Sequence, residues 1–178
     1  MSIRQIVYID DERLRQRAKK VKQFTPSLKK LAQDMLETMR AYDGVGLAGP
    51  QIGVMQRIFV AEIPSPNDDA EPHAQSGRSY ILVNPEIVKS SEALVEGQEG
   101  CLSIPNWQGL VERPEWVEVK AQSIEGRKIK LKVDGYLARI FSHEIDHLNG
   151  VLFFDHITNQ EKLWEISPKD PPGGSESS

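Results

Sequence analysis

Cysteine, aromatic residues, a basic surplus and long apolar runs are all scarce in this chain. One cysteine, Cys101, stands among 178 residues. It has no partner for an internal disulfide, so the fold must rest on its core, and a reducing compartment is the simplest setting. No apolar stretch approaches the roughly 18–20 residues that span a bilayer. Met1-Ser2-Ile3-Arg4-Gln5 shows no basic segment leading into an apolar one, so no secretory signal is expected. Lys and Arg number 22 against 26 Asp and Glu, for a formal charge of −4. A general nucleic-acid binder normally carries the opposite balance. These absences predict a cytoplasmic protein with no membrane segment and no specific nucleic-acid partner.

What is present suits a globular protein. Hydrophobic residues make up 39% and charged residues 27%, which excludes a disordered chain of low hydrophobicity. The length predicts one domain, over residues 1–166. Residues 167–178 are rich in Pro, Gly and Ser and are expected to be a disordered tail. Residues 64–78, with Pro64, Pro66, Pro72 and Gly77, read as a long polar loop inside the domain.

Three helices are expected. The first follows Thr25-Pro26 and carries Leu28, Leu31, Met35 and Met39 on one face until Asp43-Gly44. The second runs from Asp134-Gly135 to Asn149-Gly150, with Leu137, Ile140, Phe141, Ile145 and Leu148 as its apolar face. The third starts at Thr158, with Glu161 completing a capping box. Strands are expected over 57–63, 79–83, 116–123 and 128–133, the last two joined by a turn at Glu125-Gly126. The order predicts an α+β fold whose mixed or antiparallel sheets pack around the second helix.

That helix carries His143-Glu144-Ile145-Asp146-His147. The i, i+4 spacing sets both imidazoles on one face, one turn apart, where they can hold one cation. Glu144 stands beside the first, a carboxylate able to take a proton from water that the cation activates. A third ligand is needed. The longer pattern H-E-x-x-H-x-x-G-x-x-H matches at Gly150 but has Phe153 in its last position, which excludes that subclass. Glu161 or Glu165 would make a site of the peptidase kind, and Asp155 and His156 are also near in sequence. Cys101, in Glu99-Gly100-Cys101-Leu102-Ser103, is the strongest candidate. A lone cysteine is otherwise usually a small buried hydrophobe. A third segment, Gly44-Val45-Gly46-Leu47-Ala48-Gly49-Pro50-Gln51, is glycine-rich where something approaches the backbone, and it lacks the order of a phosphate loop.

Together these segments resemble the peptide deformylase family, in which G-x-G-x-A-x-x-Q, E-G-C-L-S and H-E-x-D-H occur in this order. The resemblance runs from about Ile6 to Asp155. It implies an enzyme that removes the formyl group from the N-terminal methionine of newly made polypeptides. It implies that Cys101, His143 and His147 bind the metal and that Glu144 is the general base. Gln51 and the Leu102 backbone N–H would stabilise the oxyanion, and Gly44, Val45, Gly46 and Gly100 would line the bound peptide. Ile140, Tyr136 and Leu102 are candidate walls for the methionine pocket. Fe(II) is the implied metal, with Zn(II), Ni(II) or Co(II) as substitutes, in a monomer with at most transient ribosome contact, since the C-terminal tail is not basic. Two positions depart from the family: Gly49 where alanine is common, expected to loosen its loop, and Ser142 where glutamine is common. Glu99 and Arg113 are either an ion pair supporting the site or two solvated charges. Two rivals stand beside this reading. One is a small zinc peptidase with Glu165 as third ligand. The other is a metal-binding module without catalysis.

Overall fold

The computed structural model describes residues 2–65 and 75–166. The elements in chain order are α1 (Pro26–Ala41), β1 (Gly46–Ala48), β2 (Ile58–Glu62), β3 (Ser79–Ser90), β4 (Leu94–Cys101), β5 (Ile104–Pro114), β6 (Trp116–Gln122), β7 (Lys128–Asp134), α2 (Gly135–Leu148) and β8 (Leu163–Glu165). They make an α+β fold with two antiparallel sheets. One has five strands in the order β1-β2-β3-β6-β7, the other three in the order β4-β5-β8.

The apolar run of β2 explains the layering. Side chains alternate across a strand, so Ile58 and Val60 face one way and Phe59 and Ala61 the other. Ile58 and Val60 join Leu28, Leu31, Met35 and Met39 of α1. Phe59 and Ala61 join Leu137, Phe141, Ile145 and Leu148 of α2. The larger sheet is thus covered by α1 on one face and α2 on the other. Phe141 is fully buried, edge-on to Phe59 at 5.2 Å and to Tyr80 at 5.4 Å. A third cluster, of Ile104, Val111, Leu152 and Phe153, ties the small sheet to the chain beyond α2.

Both expected helix boundaries of the long helices hold. Thr25 Oγ1 accepts from the Leu28 N–H at 3.3 Å, with Pro26 in the first helical position. Beyond α2, Gly150 takes φ +75°, and the N–H groups of Gly150 and Val151 donate to the carbonyls of His147 and Asp146. A side chain at Gly150 would meet the Arg15 carbonyl at 2.5 Å, so this stop is also a close crossing of two chain segments.

The third helix is not formed. Gln160–Lys162 is a single 3-10 turn, capped by Asn159 rather than Thr158, and Leu163–Glu165 is β8. Too short to bury a helical face, this segment instead pairs Leu163, Trp164 and Glu165 with Gly109, Gln108 and Trp107 of β5. The β5 edge thereby gains a partner strand over Trp107–Gly109. The strand begun at 79–83 continues to Ser90 past a register shift next to Asn84, which takes φ +50°. Of the polar loop, residues 66–74 lie outside the described residues, as does the tail at 167–178. Among the described residues no helix is long and apolar enough to cross a membrane.

Phe141→Ala empties the centre of the larger cluster, and a loss of about 3–5 kcal/mol is expected in urea unfolding. A change under about 1 kcal/mol would mean that the α2–sheet contact is not what holds the helix in place.

Candidate active site

α2 sets His143 and His147 on one face, and β4 ends at Cys101 directly opposite. The ligand atoms of these three residues lie within 4.8 Å of one another. Cys101 Sγ is 3.3 Å from His147 Nε2, and the two Nε2 atoms are 3.2 Å apart. Metal bonds of 2.0–2.3 Å at tetrahedral angles would separate such ligands by about 3.4–3.6 Å, so the spacing fits one ion. Glu161 and Glu165 are not in this cluster. Asp155 is paired with Arg15 at 2.6 Å and His156 with Asp146 at 2.8 Å, so both are engaged elsewhere. Phe153, in the position where the longer motif has a histidine, stacks on the His143 ring at 6.2 Å.

Behind the ligands lies a buried ionic cluster. Glu99 is 6% exposed and accepts four hydrogen bonds: two from Arg113 at 2.9 Å each, one from Arg139 at 2.7 Å and one from His143 Nδ1 at 2.8 Å. Burial would raise its pKa, but the bonds from His143 and Arg113 outweigh burial and hold the carboxyl well below the usual range. Glu99 and Arg113 are therefore an ion pair, and it is bidentate. Arg113 also bonds Asp146 at 2.6 Å, linking β5 to α2. Arg139 escaped the sequence reading. Its signal was there: a charged residue one turn before His143, on the same helix face as that ligand and Asp146.

Glu144 is 4% exposed, and its Oε2 has no hydrogen-bond partner among the described residues. Burial raises its pKa to about 7, with the Glu99 charge adding and the His143 charge opposing. In the metal-free site His143 holds its proton well above the usual range, since bonds to Cys101 and Glu99 outweigh burial, while burial and the neighbouring His143 charge push His147 down. An orphaned acceptor beside two imidazoles and a thiol suits a divalent cation and the water it carries.

The glycine-rich segment is explained by close approach. A side chain at Gly46 would lie 2.5 Å from Glu144 Oε1, so the strand lets the carboxylate reach the site. At Gly44 it would meet the Leu102 side chain at 2.8 Å. Gln51 is 1% exposed and its amide is oriented: Oε1 accepts from the Ala48 N–H at 2.9 Å, so Nε2 points to Cys101 Sγ at 3.4 Å and Ser103 Oγ at 3.3 Å. At Gly49 the loop leaves no room for a side chain. The carbonyls of Val54 and Gln56 stand 2.7 and 2.8 Å from where its side chain would begin, so the loop closes tightly there. Ser142 is turned back into its own helix, donating to the Ala138 carbonyl at 2.8 Å. All of Gly44, Val45, Gly46, Gln51, Gly100, Cys101, Leu102, His143 and Glu144 border one cavity of about 570 Å³, and Tyr136 and Ile140 form part of its wall. Tyr8, Tyr42 and Trp107 at its rim were not foreseen.

A family model described as polypeptide deformylase matches residues 3–163. A peptide deformylase of Thermomicrobium roseum is 45% identical over 170 residues, covering 96% of this chain and 94% of that one. One from Symbiobacterium thermophilum is 49% identical over 165 residues, covering 93% of this chain and 71% of that one. The crystal structure of peptide deformylase from Thermotoga maritima superposes with a TM-score of 0.81 at 39% identity, over 89% of this chain and 100% of that one. The site and fold are those of an enzyme, and the chain belongs to the polypeptide deformylase family.

The position of the Glu144 pKa has a measurable consequence without metal. A carboxyl raised from 4.5 to about 7 on folding destabilises the fold fully above pH 7, and the effect fades as pH falls toward 4.5. Glu144→Gln, which mimics the protonated acid, should therefore stabilise the metal-free protein by about 3 kcal/mol at pH 8. At pH 4.5 the gain should nearly vanish. Equal denaturation midpoints at pH 8 would contradict the burial of an ionised Glu144.

Proposed function

We propose that this chain hydrolyses the formyl group from the N-terminal formyl-methionine of newly made polypeptides, as a metal-dependent amide hydrolase releasing formate. The observation that carries this reading is the clustering of Cys101, His143 and His147 at a cavity that Cys101 and His143 line together with buried Glu144 and the oriented amide of Gln51. Cys101, His143 and His147 would hold the ion. Thiolate and imidazole donors suit Fe(II), with Zn(II), Ni(II) or Co(II) able to replace it. Once bound, the ion supplies Lewis acidity and makes water a nucleophile at neutral pH.

The rest of the chemistry belongs to the chain. Glu144 takes a proton from the attacking water as oxygen bonds to the formyl carbon. The carbonyl electron pair moves onto the formyl oxygen, where Gln51 Nε2 and the Leu102 N–H donate to it. When the C–N bond breaks, Glu144 returns the proton to the leaving amine. The electron pair on oxygen re-forms the carbonyl as that bond breaks, giving a free N-terminal amine and formic acid, which ionises to formate and leaves the amine protonated at neutral pH. The peptide lies along Gly44, Val45, Gly46 and Gly100, with the β1 edge offering backbone partners. The methionine side chain enters between Ile140, Tyr136 and Leu102. The enzyme would work in the cytoplasm as a monomer, folded over residues 1–166, with transient contact to the ribosome.

Formate release from formyl-Met-Ala-Ser tests this, using protein prepared anaerobically and loaded with Fe(II) or Ni(II). Glu144→Gln should keep the metal and lower turnover by at least about 100-fold. Cys101→Ala should lose the metal. Retention of metal by Cys101→Ala would return the third-ligand role to a carboxylate. No release from folded, metal-loaded protein would leave a binding role.

A further inference from the structure

The ligand set is assembled from two separate parts of the fold. His143 and His147 ride on α2, while Cys101 ends β4 in the smaller sheet. Metal bonds tolerate only about 0.2 Å of error. Whatever seats α2 on β4 therefore sets the metal site.

Two guanidinium groups cross that gap in opposite directions. Arg113 leaves β5 and reaches Asp146 on α2. Arg139 leaves α2 and reaches the sheet: Nη1 donates to Glu99 Oε2 at 2.7 Å and the Val111 carbonyl at 2.8 Å, and Nη2 to the Val95 carbonyl at 2.6 Å. Both terminal nitrogens are thus engaged within the protein. Arg139 precedes His143 by one turn, and the two share Glu99, Arg139 through Oε2 and His143 through Oε1. The seat for the guanidinium is Gly97. A side chain there would stand 2.7 Å from Cζ and 2.8 Å from Nε and Nη2 of Arg139.

We infer that Arg139 is a positioning residue for the metal site: seated over Gly97, it clamps α2 to β4 and holds Glu99 beneath His143, and so sets the affinity for the metal. This rests on the proposed metal role of Cys101, His143 and His147. A buried arginine can also serve stability alone, because removing one partner of a buried pair is destabilising wherever it lies. The test must therefore read something that stability does not move.

Metal-free full-length protein is titrated with Co(II) against a competing chelator, following the cobalt–thiolate absorption, with circular dichroism as the check on folding. Arg139→Met should weaken Co(II) binding by about 10–100-fold, as is usual for groups that orient a ligand. Arg139→Lys, which can still reach Glu99 but not all the carbonyls, should recover part of that loss. Gly97→Ala leaves every charge in place and should weaken binding in the same direction. In the double variant Gly97→Ala/Arg139→Met the glycine change should add less than about twofold, since both act through one guanidinium. Wild-type affinity in folded Arg139→Met overturns the inference, whatever its turnover, and so does full additivity. If Arg139→Met does not fold, wild-type affinity in both Gly97→Ala and Arg139→Lys overturns it. Absence of the thiolate absorption in the unsubstituted protein defeats the ligand assignment itself, a failure distinct from that of the clamp.

Discussion

Glu99 is the point on which this site depends. Its carboxylate lies where β4, β5 and α2 meet, and it is the one acceptor shared by Arg113, Arg139 and His143. A carboxylate this deeply buried would be intolerable alone, since desolvating an ion costs several kcal/mol even after relaxation. Two guanidinium groups offset that cost and in doing so bring their own elements together. Arg113 carries the connection on to Asp146, so α2 is tied to the small sheet at two places a little under two turns apart. The cluster makes poor use of area compared with an apolar interface. What it provides is direction: a charged hydrogen bond fixes an imidazole plane in a way that leucine packing does not.

The legible parts of the chain were those where one periodicity dominates. α1 and α2 have apolar stripes and clear stops. β2, β6 and β7 are apolar on at least one face. β4 and β5 gave no such signal. β4 is mostly exposed and carries Glu96, Gly97, Gln98, Glu99 and Gly100 in succession. On β5 an inward position is taken by Arg113, which is buried only because Glu99 and Asp146 are there to meet it. A strand whose buried side mixes apolar and ionic residues, as Val111 and Arg113 do on β5, reads as a loop in one dimension. The mistaken helix after Thr158 has a related cause. Leu163, Trp164 and Ile166 have an apolar content that either period accommodates, and the open edge of β5, itself unseen, decided for a strand.

The site was more legible than the sheet that supports it, for a physical reason. Metal ligation needs particular atoms at particular spacings, and one helical turn writes that spacing directly into the sequence as His143 and His147. Cys101 could be reached only by asking what completes the set. Glycines marked close approach correctly but could not name the visitor. At Gly46 it is Glu144 and at Gly44 Leu102, while Gly97, which meets Arg139, gave no such mark. At Gly49 it is the chain's own backbone. There the carbonyls of Val54 and Gln56 stand 2.7 and 2.8 Å from where a side chain would begin, and Gln51, two residues on, accepts from the Ala48 N–H.

Charge balance links these pieces to the chemistry. Behind the ligands, Glu99 and Asp146 face Arg113 and Arg139, so that layer is neutral without any ion. In front of it stand the Cys101 thiol and Glu144. A divalent cation held there by a thiolate would leave one positive charge, which an ionised Glu144 would cancel. Without the cation, the same burial raises Glu144 to about 7, so it carries its proton for much of the time at neutral pH. The cation's field favours the ionised form. In the proposed reaction, an ion that activated water would thus also favour the ionised form of Glu144, the group proposed to deprotonate that water.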